Sequence, residues 1–155
     1  MNNIEKLREK MPQESCCALI TSDINRRYFC GMKSSAGAVL VFPDAAYLLI
    51  DFRYFEKAKE KVTDCEVVRS VKFYSQLVDL LKKHGTEKVY IEADTMTVAE
   101  LSTYAEKLDG FKIDSTGFLS GVITKLRSVK TAEELEKMQK AQDIAEAALD
   151  NALKN

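Results

Sequence analysis

Apolar positions along the chain fall into short runs separated by turn chemistry, and the densest of them lie between residues 36 and 54. Residues 39–42 and 47–50 are continuous apolar runs, and Pro43-Asp44 between them suits a turn, because proline fixes φ and aspartate bonds its own backbone. The pattern predicts two antiparallel strands joined tightly. Since neither run alternates, both strands are expected to be covered on both faces, inside a larger sheet. Pairing brings the polar flanks of the hairpin together, so the glycine-bracketed segment 31–37 and the segment Asp51-Phe52-Arg53-Tyr54 should share one edge. Ligand contacts are expected there.

Ile4, Leu7 and Met11 at helical spacing predict a first helix, which Pro12 stops. The run 16–20 reads as a buried strand ended by Ser22-Asp23, with Asp23 placed to cap the short segment 24–29. After the hairpin the spacing predicts a helix over 54–62, a strand over 65–68, a helix over 73–83 ending at His84-Gly85, and a strand over 88–92. Thr95 or Thr97 opens a further helix closed by Asp109-Gly110, and 111–114 is a last strand. This alternation implies right-handed crossovers and a partly parallel sheet. The fold class is therefore α/β, a mixed sheet of about six strands flanked by helices. Thr131 and Glu134 form a capping-box pattern heading a helix with no breaker before Asn155, roughly 22 residues and ~33 Å long. Its stripe of Leu135, Met138, Ala141, Ala145, Ala148, Leu149 and Ala152 calls for a partner surface. The expected organisation is a domain over 1–125 and a linker with a connecting helix over 126–155, leading into something longer.

Composition narrows the classes. With 23 basic and 24 acidic residues in 155, the net charge of −1 gives no global pull toward nucleic acid or an anionic membrane. No apolar run approaches the ~20 residues of a membrane helix and the first residues lack a signal-peptide pattern, so a soluble, cytoplasmic protein is expected. Cys16, Cys17, Cys30 and Cys65 lie in or near predicted strands without CxxC spacing and read as reduced core thiols, the first two on opposite strand faces. The single histidine, His84, reads as a helix-terminal residue facing the dipole. Ser34-Ser35 precedes a strand, where a nucleophile elbow would need a following helix, and Gly31 to Gly37 has no Lys-Ser/Thr for a phosphate loop. One histidine and unpaired cysteines cannot supply four spaced zinc ligands. Asp51 and Arg53, alternating at a strand end, share a face and either pair with each other or bind a ligand carboxylate. Asn25, Arg27 and Tyr28 read as a solvated turn.

Three blocks together resemble one family. Asn25-Arg26-Arg27-Tyr28-Phe29-Cys30-Gly31 through Ser35-Ala36-Gly37, then Tyr47-Leu48-Leu49-Ile50-Asp51-Phe52-Arg53-Tyr54, then Leu126-Arg127-Ser128-Val129-Lys130-Thr131-Ala132-Glu133-Glu134-Leu135 resemble the amino-terminal domain of the creatinase/prolidase/Xaa-Pro aminopeptidase family. The resemblance implies a six-stranded mixed sheet with a ribonuclease H-like motif. It also implies a separate carboxy-terminal "pita-bread" domain holding two divalent metal ions (Mn, Co or Zn) that cleaves the bond before proline. No cofactor, metal ligand or catalytic residue is carried onto this chain, which is expected to be inactive alone. Its implied partners are its own catalytic domain, a second copy in a homodimer, and proline-containing peptides. At the matching motif positions Arg53, Asp51, Met32, Lys33, Ser34 and Ser35 are the candidate accessory substrate contacts. Creatine-hydrolysing branches carry an aromatic and an arginine where this chain has Met32 and Ser34, which favours peptide cleavage. The competing readings are a stand-alone binding or dimerisation module and an inactive descendant of the family.

Overall fold

In the computed structural model, which describes residues 1–154, the apolar runs form the middle of one sheet. Helix α1 (Asn3–Lys10), headed by a capping box between Asn2 and Glu5, leads into strand β1 (Cys16–Ile20). There follow α2 (Asp23–Cys30), β2 (Ala38–Val41), β3 (Ala46–Ile50), α3 (Phe52–Lys61), β4 (Glu66–Arg69) and α4 (Phe73–Lys83). The chain continues through β5 (Lys88–Ile91), α5 (Val98–Lys107), β6 (Lys112–Asp114), α6 (Phe118–Ser128) and α7 (Ala132–Lys154). The six strands lie in the order β4-β3-β2-β1-β5-β6. Strand β2 is antiparallel to β1 and β3, and the other pairings are parallel, so this is the mixed α/β sheet the apolar pattern implied.

Alternation along each strand divides the interior into two cores. Cys16, Ala18 and Ile20 of β1 face the side covered by α1, α2, α3 and α6, whereas Cys17 and Leu19 face α4 and α5. Leu19, Leu40, Leu48 and Leu49 are at most 1% exposed. Burying each contributes roughly 1.5–3 kcal/mol relative to exposure, which makes β1, β2 and β3 the most stabilised part of the sheet. All strands except β2 run the same way, so their carboxyl ends and the amino end of β2 form a single edge.

The local structure departs from the sequence reading at four places. Ser22, not Asp23, caps α2: its hydroxyl accepts from the Asn25 N–H at 3.3 Å, while Asp23 sits in the first turn. Cys30 is the last residue of that helix and not part of a strand neighbourhood. Helix α3 begins at Phe52, because Asp51 has left the strand and caps it, so Asp51 and Arg53 do not alternate along a strand end. Helix α6 occupies a stretch for which no element was expected: Gly121 and the β-branched Val122, Ile123 and Thr124 mask the helical spacing of Leu119, Ile123 and Leu126. It runs through position 125/126 and ends at Ser128. Helix α7 carries the expected capping box, Thr131 with Glu134, and none of its residues is buried.

Candidate functional site

Parallel pairing of β1 with β5 places the residues leaving both strands side by side, and a carboxylate fills the gap. Glu92, the first residue beyond β5, is fully buried. It accepts from Thr21 N–H at 2.6 Å, Ser22 N–H at 2.9 Å, the Ser22 hydroxyl at 2.8 Å and the Asn25 amide at 2.5 Å. The Asn25 side-chain oxygen, Oδ1, accepts in turn from Arg127 at 2.9 Å, which ties α6 to the same point. Arg26, also buried, donates to the Thr21 carbonyl, to the Ser34 carbonyl at 2.8 Å and to the Ser34 hydroxyl at 3.4 Å. Burial lowers the Arg26 guanidinium below its usual value, against the opposing pull of Asp23 and Glu92. Asn25 is thus not part of a solvated turn. It is 6% exposed and belongs to a closed polar network that fixes the head of α2 and the loop after it.

That loop is shaped by its two glycines. Gly31 ends α2 at φ 66°, in the left-handed region, and its N–H bonds the Arg27 carbonyl at 2.8 Å. Gly37 sits at φ +122°, and a Cβ there would lie 2.6 Å from the Leu49 carbonyl oxygen, so only glycine lets the loop press this closely on β3. Between them Met32 and Ser34 turn inward, 5% and 4% exposed, while Lys33 and Ser35 face solvent. The Ser35 hydroxyl bonds the Tyr54 hydroxyl at 3.0 Å, joining the loop to α3 as the hairpin geometry required.

Asp51 and Arg53 pair, but through helix capping. The Asp51 carboxylate accepts from the Arg53 N–H at 2.9 Å and from its guanidinium at 2.5–3.2 Å. The bond from Arg53 holds the Asp51 carboxyl below its usual value, and the same pair raises Arg53. The hydrogen bond with Ser35 lowers Tyr54, over whose ring the Arg53 guanidinium lies at 5.4 Å. The six residues singled out from the sequence therefore meet at one edge in two layers. Met32 and Ser34, sealed inside, hold the loop and cannot touch a ligand as arranged. Asp51 serves as the cap. Lys33, Ser35 and Arg53 face outward, with the Arg53 side chain 56% exposed. A guanidinium fixed on one side by a carboxylate is suited to binding a second carboxylate or carbonyl.

The creatinase/prolidase N-terminal domain profile matches residues 3–129, which covers the whole sheet, this edge and α6. The chain belongs to that family. Among its relatives are the uncharacterized peptidase YqhT of Bacillus subtilis, 29% identical over 152 residues, and the Xaa-Pro dipeptidase of Pyrococcus furiosus, 31% identical over 148 residues. These alignments take in 97% and 94% of this chain but 42% and 40% of the relatives. The solved Xaa-Pro dipeptidase from Bacillus anthracis superposes with a TM-score of 0.83 at 30% identity, over 97% of this chain and 42% of that one. The N-terminal domain of the cytoplasmic peptidase PepQ from Mycobacterium tuberculosis superposes with a TM-score of 0.65 at 28% identity, over 77% of this chain and 96% of that one. The family domain is thus structurally separable in a relative, and this chain spans about two fifths of the longer proteins it matches.

Among the described residues, no three His, Cys, Asp or Glu side chains converge as ligands. The resemblance places its pair of metal ions in a separate carboxy-terminal domain and puts no ligand for them on this chain. His84 is remote from the edge and is not simply facing a helix dipole. Its ring stacks on Phe42 at 4.2 Å, with Nδ1 2.9 Å from Asp44 and Nε2 3.0 Å from the Tyr47 hydroxyl. The residues that the sequence reading missed at the edge are Glu92, Arg26 and Arg127. A carboxylate directly ending an apolar strand was a signal for the first; its partners, about 70 positions away, left none. No helix among the described residues is long and apolar enough to cross a membrane.

Proposed function

We propose that this chain is the amino-terminal substrate-gating and oligomerising domain of a cytoplasmic Xaa-Pro metallopeptidase, an aminopeptidase or dipeptidase that cleaves the bond before proline. The observation that carries the reading is the exposed Arg53, fixed by Asp51 and joined through Tyr54 and Ser35 to a rigid loop, on a domain of a family whose relatives include Xaa-Pro dipeptidases. In this reading Arg53, Lys33 and Ser35 contact the peptide or the rim of the site that holds it. Met32, Ser34 and Asp51 keep those three in place. Chemistry belongs to a downstream catalytic domain with its two metal ions. Helix α7, with Leu135, Met138 and Leu149 more than half exposed, connects to that domain and offers a surface to it or to a second copy. In this reading residues 126–155, with the break between α6 and α7 at 129–131, link the domain over 1–125 to the catalytic one.

The test compares this chain with the full-length product on an Xaa-Pro dipeptide and an Xaa-Pro tripeptide in Mn²⁺. Activity confined to the full-length product is expected, and the preferred length names the enzyme. Silence from both, with metal bound, would sink the peptidase reading in favour of a binding module or an inactive descendant.

A further inference from the structure

Two cysteines separated by 35 positions in sequence meet on the α3 side of the sheet, by the amino end of β4: Cys30 Sγ lies 3.9 Å from Cys65 Sγ. Cys30 ends α2 and directly precedes Gly31; Cys65 stands in the connection between α3 and β4. Both pack against the core under α3, yet they differ in access. Cys30 is 7% exposed, whereas Cys65 is only partly buried. Cys16 and Cys17 are buried elsewhere in β1. A disulfide needs the sulfurs at ~2.05 Å, an approach of about 2 Å that side-chain rotation and the short loop before β4 can supply. We propose that Cys30 and Cys65 form a reversible, redox-controlled disulfide that ties the base of the edge loop to the start of β4.

The access difference sets the order of events. The more accessible Cys65, as its thiolate, attacks a small disulfide oxidant such as glutathione disulfide, forming a mixed disulfide and releasing one glutathione thiolate. Cys30 then gives up its proton and attacks Cys65 Sγ, expelling the second glutathione. Two cysteine thiols are oxidised and one glutathione disulfide is reduced to two glutathiones. Hydrogen bonding to Cys65, reinforced by burial, pushes the Cys30 thiol well above its usual value, so Cys30 is the poorer first attacker and reacts only once Cys65 beside it carries the mixed disulfide. The bond closes a covalent ring over residues 31–64, the segment that carries the loop, the hairpin and α3, and with them Lys33, Ser35 and Arg53.

Full-length protein is incubated with glutathione disulfide at graded ratios to glutathione, trapped with an alkylating reagent, and mapped by non-reducing peptide mass spectrometry. The expected product is one cross-linked peptide pair carrying Cys30 and Cys65, lighter by two hydrogens and reversed by dithiothreitol, with Cys16 and Cys17 still free. Cys30→Ser should stop the reaction at a Cys65–glutathione adduct, and Cys65→Ser should leave Cys30 unreacted. A persistent adduct on Cys65 in the wild-type protein, no reaction at either residue, or a cross-link that appears only in denaturant overturns the proposal.

Discussion

The two ends of the β2–β3 hairpin are built with opposite arrangements of charge and aromatic surface. At the turn end the aromatics are inside: Phe42, Tyr47 and the His84 ring stack together, while Asp44 and Lys83 reach in from water, Lys83 donating to the Tyr47 hydroxyl at 3.1 Å. At the carboxyl edge the charges are inside. Arg26 and Glu92 are buried, while Phe52 is 69% exposed and Tyr54 sits half-buried with Arg53 over its ring. The turn end follows the usual preference for apolar burial and asks little of its polar groups. The edge inverts it, and a buried ion is tolerated only when its partners are complete. The difference teaches where the structure spends stability: the edge is held rigid by a costly inner layer, which leaves an aromatic and cationic outer layer facing solvent.

The contrast is broken most directly at Glu92. Glu92→Ala strands the Thr21 and Ser22 N–H groups and the Asn25 amide and removes one of the two carboxylates, with Asp23, whose charge favours the Arg26 guanidinium, so a loss of about 3–5 kcal/mol is expected in urea unfolding. His84→Ala at the other end removes a ring stack and two hydrogen bonds and should cost about 2 kcal/mol in the same assay. Equal losses would erase the distinction between the ends. Gly37→Ala meets the Leu49 carbonyl at 2.6 Å from a left-handed backbone and should cost about 1–3 kcal/mol, whereas a neutral result would mean the loop is not pressed on β3. Arg53→Ala, on the exposed layer, should lower kcat/KM for Xaa-Pro peptides about tenfold in the full-length product with an unchanged unfolding midpoint. Unchanged kinetics would return Asp51 and Arg53 to an ordinary surface pair.

The smallest effect concerns pH. The Asp51 carboxyl is lowered from its ordinary 3.8 by Arg53, so its contribution is complete above that value and is lost as pH falls through the depressed one. Asp51→Asn should therefore flatten the acid limb of the stability profile slightly, below about pH 3.8, and change little at neutral pH. A shift of the whole profile at neutral pH would show that the cap outweighs the charge.

Legibility followed the range of the signal. The hairpin, β1, α4 and the capping box at Thr131 were readable because each depends on residues within a few positions of one another. The meeting of segments 31–37 and 51–54 was also readable, since antiparallel pairing alone requires it. Helix α6 was not, because a mid-helix glycine and three β-branched residues speak locally for another structure and are overruled by the packing of Leu119 and Ile123 against the sheet. Asp51 was placed on a strand because its neighbours are apolar; only the chain direction after Ile50 makes it a cap. Within the edge, the residue types were found but not their depth, so Met32 and Ser34 were grouped with Lys33 and Ser35.

By itself the sequence determined the α/β class, the paired strands, the family and the edge at which polar residues gather, because periodicity, turn chemistry and motif spacing are local or nearly so. Tertiary structure alone decided which of those residues look outward. It closed Glu92 on donors across β1 and α2, let Arg26 fasten the loop through Ser34, brought Cys30 within reach of Cys65, and left Arg53 in solvent. Those outcomes depend on contacts between segments distant in sequence, where burial and the need to satisfy each buried polar group, not residue identity, choose the arrangement.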